Sequence, residues 1–241
     1  MNEARSRLIV AVDVPDRAAA LAAIGRLTGH VGCFKLGLEI FVREGPAFVH
    51  EIVGRGEKVF LDLKLHDIPN TVAGAVRSAC RLGIGMLTLH AAGGRKMLEA
   101  ACEAAQGSSS PPLLLAVTAL TSLTPDDARS IGVQDSITGW AERLAELSFR
   151  AGIRGLVASS HELPNLHRKF GSTMQFVIPG IRPAGAQDRD QARTAAPAEA
   201  VRAGADFLVV GRPILQALDP ALAADQIVKE IAAALLNRDK A

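Results

Sequence analysis

Three observations predict a (β/α)8 TIM barrel for this chain, a single α/β domain over residues 1–241. Eight short apolar runs alternate with helix-patterned segments, and no linker or low-complexity boundary interrupts them. The length of 241 residues is close to the roughly 250 typical of such barrels. Charged residues recur at the C-terminal ends of the runs, the face on which barrels build their sites. Together these favour a closed barrel over an open doubly wound sheet.

Residues 8–14 are a β-branched run ended by Pro15, and Asp16 then opens an alanine-rich helix with Leu21, Ile24 and Leu27 at core spacing. Residues 33–38 give the second strand, ahead of a helical segment around 41–53. Residues 59–65 give the third, ahead of 71–82. The next pairs are 86–90 with 95–105, 113–120 with 137–151, and 156–159 with 162–170. Strands seven and eight are 176–181 and 207–211, with helices near 198–203 and 221–236. The Ser108-Ser109-Ser110-Pro111-Pro112 run falls where an α-to-β connection belongs, on the face opposite the site. Thr124-Pro125-Asp126-Asp127 reads as a helix start capped by Thr124.

With 27 basic and 25 acidic residues the chain has no polyelectrolyte character, so its composition supports neither nucleic acid nor anionic membrane as a partner. A small molecule is the expected ligand. Cys33, Cys80 and Cys102 are odd in number and widely spaced, which fits neither a disulfide framework nor a zinc site. The first apolar run is too short to span a membrane and carries no cleavage pattern, so a cytoplasmic protein is expected.

The densest chemistry lies in residues 59–71, Val-Phe-Leu-Asp-Leu-Lys-Leu-His-Asp-Ile-Pro-Asn-Thr. In a strand, successive side chains point to opposite faces, so Leu61, Leu63 and Leu65 share one face while Asp62 and Lys64 share the other. Asp67 follows just past the strand, and Pro69 suits a helix's first turn. A purely structural reading makes Asp62 and Lys64 an ion pair and Asp67 a helix cap. Buried ion pairs are an uncertain source of stability once desolvation is counted, so a functional reading is preferred for the set.

The other strand ends extend the array. Strand one leads to Asp13 and strand two carries Lys35, which parity aims at Asp62 and Lys64 from next door. Alternating charges of this kind keep one another ionised and fixed before a substrate arrives. Strand five leads to Thr118 and Thr121. Strand seven leads to Arg182 and strand eight to Gly211-Arg212-Pro213, where barrels commonly hold phosphate: a glycine admits close backbone approach, an arginine supplies a bidentate cation, and a helix start adds free N–H donors. The polar stretch 184–196 is expected to be a lid whose Gln191 reaches the ligand. His66 and His90 read as structural residues without metal-like pairing, and Gly93-Gly94 as a turn.

The run from Asp62 to Thr71, together with Asp13, Lys35-Leu36-Gly37, Val117-Thr118, Leu120-Thr121-Ser122, residues 179–183 and Gly211-Arg212-Pro213, resembles the orotidine 5'-phosphate decarboxylase family almost end to end. The resemblance implies the free-standing bacterial form, decarboxylating orotidine 5'-phosphate to UMP as a homodimer without cofactor or metal. It implies Lys64 as proton donor to C6, Asp62 facing the substrate carboxylate, and Lys35 holding Asp62 and the ribose. Asp67 and Thr71 would enter from the partner subunit. Asp13 would bind ribose, Thr121 would lie by the base, and Arg182, Gln191, Gly211 and Arg212 would serve the phosphate or lid. The alternative is a related phosphosugar synthase or decarboxylase, which shares the Asp-x-Lys-x-x-Asp core but uses a divalent metal. Residues 66–71 and Lys35 speak against it. A non-catalytic phosphate-binding barrel is disfavoured because a pure binder has no need to crowd carboxylates in its site.

Overall fold

A computed structural model describes residues 1–183 and 194–238. Eight parallel strands close into a barrel in sequence order. They are β1 (Leu8–Ala11), β2 (Cys33–Gly37), β3 (Val59–Leu65), β4 (Met86–His90), β5 (Leu113–Val117), β6 (Gly155–Val157), β7 (Gln175–Ile178) and β8 (Phe207–Val210). Pairing of Leu8 with Leu208 and of Val10 with Val210 closes the ring. Around it run α1 (Asn2–Ser6), α2 (Arg17–Leu27), α3 (Leu38–Gly54), α4 (Pro69–Cys80), α5 (Arg95–Gln106), α6 (Pro125–Ser130), α7 (Ile137–Arg150), α8 (Leu163–Phe170), α9 (Pro197–Arg202), α10 (Arg212–Leu215) and α11 (Pro220–Arg238).

The strands are apolar on both faces because each is covered twice. Ile9, Ala11, Cys33, Phe60, Leu115, Val177 and Val209 fill the inside of the barrel. Val10, Phe34, Leu36, Leu61, Leu87 and Phe176 point outward against Ile24, Phe48, Val76 and Leu98 of the helices. Each such side chain contributes roughly 1.5–3 kcal/mol by leaving water. Against that background a polar side chain on the inner face is costly unless paired, and Lys35, Asp62 and Thr88 all take inner positions above the apolar layers.

Local signals behave as read at several helix starts. Asp16 accepts the Ala19 N–H at 2.8 Å and so caps α2. Thr124 and Asp127 form a reciprocal capping box on α6. The helix after β2 begins earlier than the sequence pattern indicates, at Leu38, and breaks at Gly45, whose φ of +69° precedes Pro46.

Several strands are shorter than their apolar runs. β1 stops at Ala11, β5 at Val117 and β7 at Ile178, yet Val12, Ala119 and Ile181 beyond them are buried. Val12 and Ile181 join the packing between barrel and helices, while Ala119 lines a cavity. Helix α1 was not legible in the sequence. Ala4 is its one buried residue, and its end lies so close to Gly32 that a Cβ there would meet the Ser6 backbone at 2.5 Å.

Candidate active site

A cavity of about 510 Å³ opens at the C-terminal ends of the strands. Of the sequence-predicted residues, Asp13, Lys35, Asp62, Lys64, Thr121, Arg182, Gly211 and Arg212 line it. The volume suits a ligand of nucleotide size.

Charge alternates across its floor. Lys35 Nζ donates to Asp13 Oδ1 at 3.1 Å and stands 3.7 Å from Asp62 Oδ2. Lys64 Nζ donates to both Asp62 oxygens at 2.9 Å. Strand register explains the approach: Ala11 pairs with Lys35, Lys35 with Phe60, and Gly37 with Asp62, so Asp62 stands two residues further along than Lys35, whose long side chain reaches it and Asp13. Gly37 leaves the room this needs, since a Cβ there would lie 3.2 Å from Lys35 Nζ.

Lys35 and Asp62 are only 12% and 13% exposed, which makes their mutual charge effective, whereas Asp13 at 58% sits in the mouth. Burial by itself would raise the Asp62 carboxyl. The charges of Lys64 and Lys35, with hydrogen bonds from Lys64 and Thr88, outweigh it and hold the group below the usual carboxylate range. Asp62 is therefore an anion clasped between two ammonium groups. One of these, Lys64, is a third exposed to the cavity.

The sequence reading passed over Thr88. Its hydroxyl donates to Asp62 Oδ1 at 2.9 Å and accepts the Lys64 N–H at 2.8 Å. Its inward position was readable from the period-two alternation Met86, Thr88, His90, but a lone threonine in an apolar strand carries little signal. Gln216 at the end of α10 also lines the cavity and was not foreseen. Thr118, by contrast, is fully buried and donates to the Val157 carbonyl at 3.3 Å, a structural use.

At the far wall, Arg182 Nη1 donates to the Ile181 carbonyl at 3.1 Å. An isolated bridge pairs Ile181 with Ala195, and the Arg182 N–H bonds the Ala195 carbonyl at 3.0 Å. The chain on either side of residues 184–193 is thus tied together beside the cavity. Gln191 lies outside the described residues.

Asp67 and Thr71 are not part of the same cavity. Asp67 accepts the neighbouring Ile68 N–H at 2.6 Å. The cap position of α4 is Ile68, with no side-chain cap bond, so the structural reading of Asp67 as a cap does not hold. Asp67 lines a separate shallow hollow with His66, Ile68 and Pro69, and Thr71 is exposed on the first turn of α4. Ile68 itself is 66% exposed.

The His66 and His90 rings stack with centroids 5.3 Å apart. His90 Nδ1 accepts the Ala92 N–H at 3.3 Å. Burial, and then the charges of His66 and Lys64, push its pKa below the ordinary histidine value and so favour the neutral ring. Among the described residues, no group of three or more His, Cys, Asp or Glu is placed to hold a metal ion, and no helix is long and apolar enough to cross a membrane.

Comparison with known proteins agrees with this geometry. Residues 6–227 match the model of the Orotidine 5'-phosphate decarboxylase / HUMPS family. Orotidine 5'-phosphate decarboxylase of Syntrophotalea carbinolica is 49% identical over 238 residues, covering 97% of this chain and 98% of its own. The enzyme of that name from Moorella thermoacetica is 47% identical over 234 residues, covering 95% and 93%. The crystal structure of Orotidine 5'-phosphate decarboxylase from Lactobacillus acidophilus superposes with a TM-score of 0.84 at 35% identity, over 93% of this chain and 98% of that one.

Proposed function

Because this chain belongs to the Orotidine 5'-phosphate decarboxylase / HUMPS family, we propose that it converts orotidine 5'-phosphate to UMP and CO2 as the last step of UMP synthesis. The observation that carries this reading is the Lys64 ammonium held 2.9 Å from both oxygens of an ionised, nearly buried Asp62, with Lys35 behind it.

The chemistry asks for such an arrangement. Breaking the bond between C6 and the carboxylate releases CO2 and leaves the electron pair at C6, in the plane of the ring, where the pyrimidine cannot delocalise it well. An ammonium fixed beside C6 stabilises that localised charge in a dry, preorganised setting and then transfers its proton to C6. Lys64 is left as a neutral amine and regains a proton from solvent. Asp62 faces the substrate carboxylate, and loss of CO2 removes a negative charge from beside it, so their repulsion is relieved as the reaction proceeds. Lys35 anchors Asp62 and, with Asp13, holds the ribose; Thr121 lies by the base.

Arg182, Gln191, Gly211 and Arg212 serve the phosphate. Binding energy spent there, away from the reacting carbon, orients the base. Asp67 and Thr71 complete the site of a second copy in a homodimer, which accounts for their pointing away from their own cavity. The enzyme is read as cytoplasmic and free of cofactor and metal. The metal-dependent phosphosugar chemistry of the alternative has no comparable support from the Lys35–Asp62–Lys64 array.

The test is the loss of orotidine 5'-phosphate absorbance on adding purified protein in EDTA, in parallel with a Lys64→Ala variant. Wild type is expected to turn over rapidly, and the folded variant to lose about 10³-fold or more in kcat. No turnover by folded wild-type protein would overturn the assignment and direct attention to metal-dependent phosphosugar substrates.

A further inference from the structure

Lys64 has a positive φ of +49°, alone among the non-glycine residues described. Such a backbone is uncommon for a long side chain and persists only where its surroundings impose it, often at a functional site. The register shows what interrupts the strand. Leu61 pairs with Leu87 but Leu65 pairs with Leu89, so four steps along β3 oppose two along β4. The regular ladder fails across residues 62–64, and the one β4 residue inside the gap is Thr88.

Thr88 has no exposed surface, and its hydroxyl is used from both sides. It accepts the Lys64 N–H at 2.8 Å and donates its own proton to Asp62 Oδ1 at 2.9 Å. A hydroxyl has one proton and two lone pairs, so a single group can do both. One oxygen thereby fixes the backbone turn that aims Lys64 and one of the two carboxylate oxygens that Lys64 grips. Neither partner is readily replaced: an unmet N–H in a bulge, or a carboxylate oxygen short of a donor at this depth, is costly. The other donor to Asp62 is Lys64, with Lys35 a charge 3.7 Å away, and these long side chains do not fix its plane by themselves.

We infer that Thr88 is the positioning residue of this site: its hydroxyl sets the left-handed turn at Lys64 and the orientation of Asp62 together, so that the proton donor and the carboxylate move as one unit. The inference rests on the decarboxylase reading for its kinetic consequences, but its structural content does not. Without the hydroxyl, Lys64 relaxes toward an ordinary strand backbone and its ammonium shifts relative to the reacting carbon. Displacements of about 1 Å cost on the order of 100-fold in rate. Substrate binding through the ribose and phosphate contacts is left largely in place.

The experiment uses full-length Thr88→Val, which keeps the volume and loses the hydroxyl, and Thr88→Ser, which keeps the hydroxyl. Kinetics on orotidine 5'-phosphate and a carbon-13 NMR titration of the Asp62 carboxyl in ligand-free protein are both read. Expected for Thr88→Val are a kcat lower by about 10- to 100-fold with KM within a few-fold and an Asp62 titration moved to higher pH; Thr88→Ser restores both toward wild type. Should Thr88→Val not fold, Thr88→Cys, similar in size and a weak hydrogen-bonder, is read in the same way. Unchanged kcat with an unchanged Asp62 titration overturns the inference, as does a loss that Thr88→Ser fails to recover. If wild type does not decarboxylate the substrate at all, the functional reading fails, and the titration alone then decides the role of Thr88.

Discussion

Asp62 and Asp67 are five residues apart in one segment and sit in opposite circumstances. Asp62, on the strand, is nearly buried, paired with Lys64 and Lys35 and bonded to Thr88. Asp67, on the loop that follows, is exposed, bonded only to the amide of its neighbour among the contacts described, and turned to a different hollow beside the exposed Ile68. Strand register places the first without help from outside the chain. No comparable framework places the second. The contrast teaches that this barrel builds most of a charged site on its strands and leaves one acid on a surface loop, beside the exposed Ile68.

The sharpest way to break that comparison is to ask whether Asp67 works on its own chain. Lys64→Ala and Asp67→Ala are each expected to lose nearly all turnover, by about 10³-fold for the proton donor. Co-expressed, they should recover activity. With random pairing, half of the dimers are hybrids, and each hybrid holds one intact site of two, so roughly a quarter of wild-type activity returns. If Asp67 serves its own chain, every site stays defective and the mixture remains as inactive as its parts.

A second comparison sets the Lys35–Asp62–Lys64 floor against the wall proposed to take the phosphate. Arg212→Ala removes a charge-assisted bond worth about 1.5–3 kcal/mol, or roughly 10- to 100-fold in kcat/KM. The loss should fall mainly on KM, because Arg212 lies across the cavity from Lys64 and Asp62. A loss carried wholly by kcat would place Arg212 at the chemistry instead and contradict the division of labour.

The sequence disclosed these regions unequally, for physical reasons. Lys35 and Asp62 were legible because period-two alternation in apolar strands leaves a charge with one place to go; Lys64 was legible as a charge beside them, although its own backbone departs from strand geometry. The capping roles of Asp16 and Thr124 were legible because they depend on local spacing. The ends of β1, β5 and β7 were not, since a buried βα loop has the composition of a strand. The direction of Asp67 was hidden because a loop carries no parity; the family resemblance alone implied that it leaves its own site. Thr88 was hidden for another reason. Its importance depends on a register shift and a positive φ at Lys64, and neither leaves a mark on the residue types.

The smallest expected effect concerns the proton on Asp62, and its sign can be worked out. Lysine charges and hydrogen bonds hold this carboxyl below its ordinary value of 3.8 in the folded protein. The unfolded chain therefore binds the proton more readily. Stability owed to the ionised group is fully present above that ordinary value and is lost as pH falls through the lowered native one. Asp62→Asn has no such proton to bind. Whichever of the two proteins is the more stable near neutrality, the wild type should gain on the variant as pH rises toward 3.8, and the gap should then stay constant. Thermal midpoints of both proteins across that range give the answer. A gap that does not change with pH would mean that Asp62 titrates alike in both states, and that Lys35, Lys64 and Thr88 do not hold it as an anion.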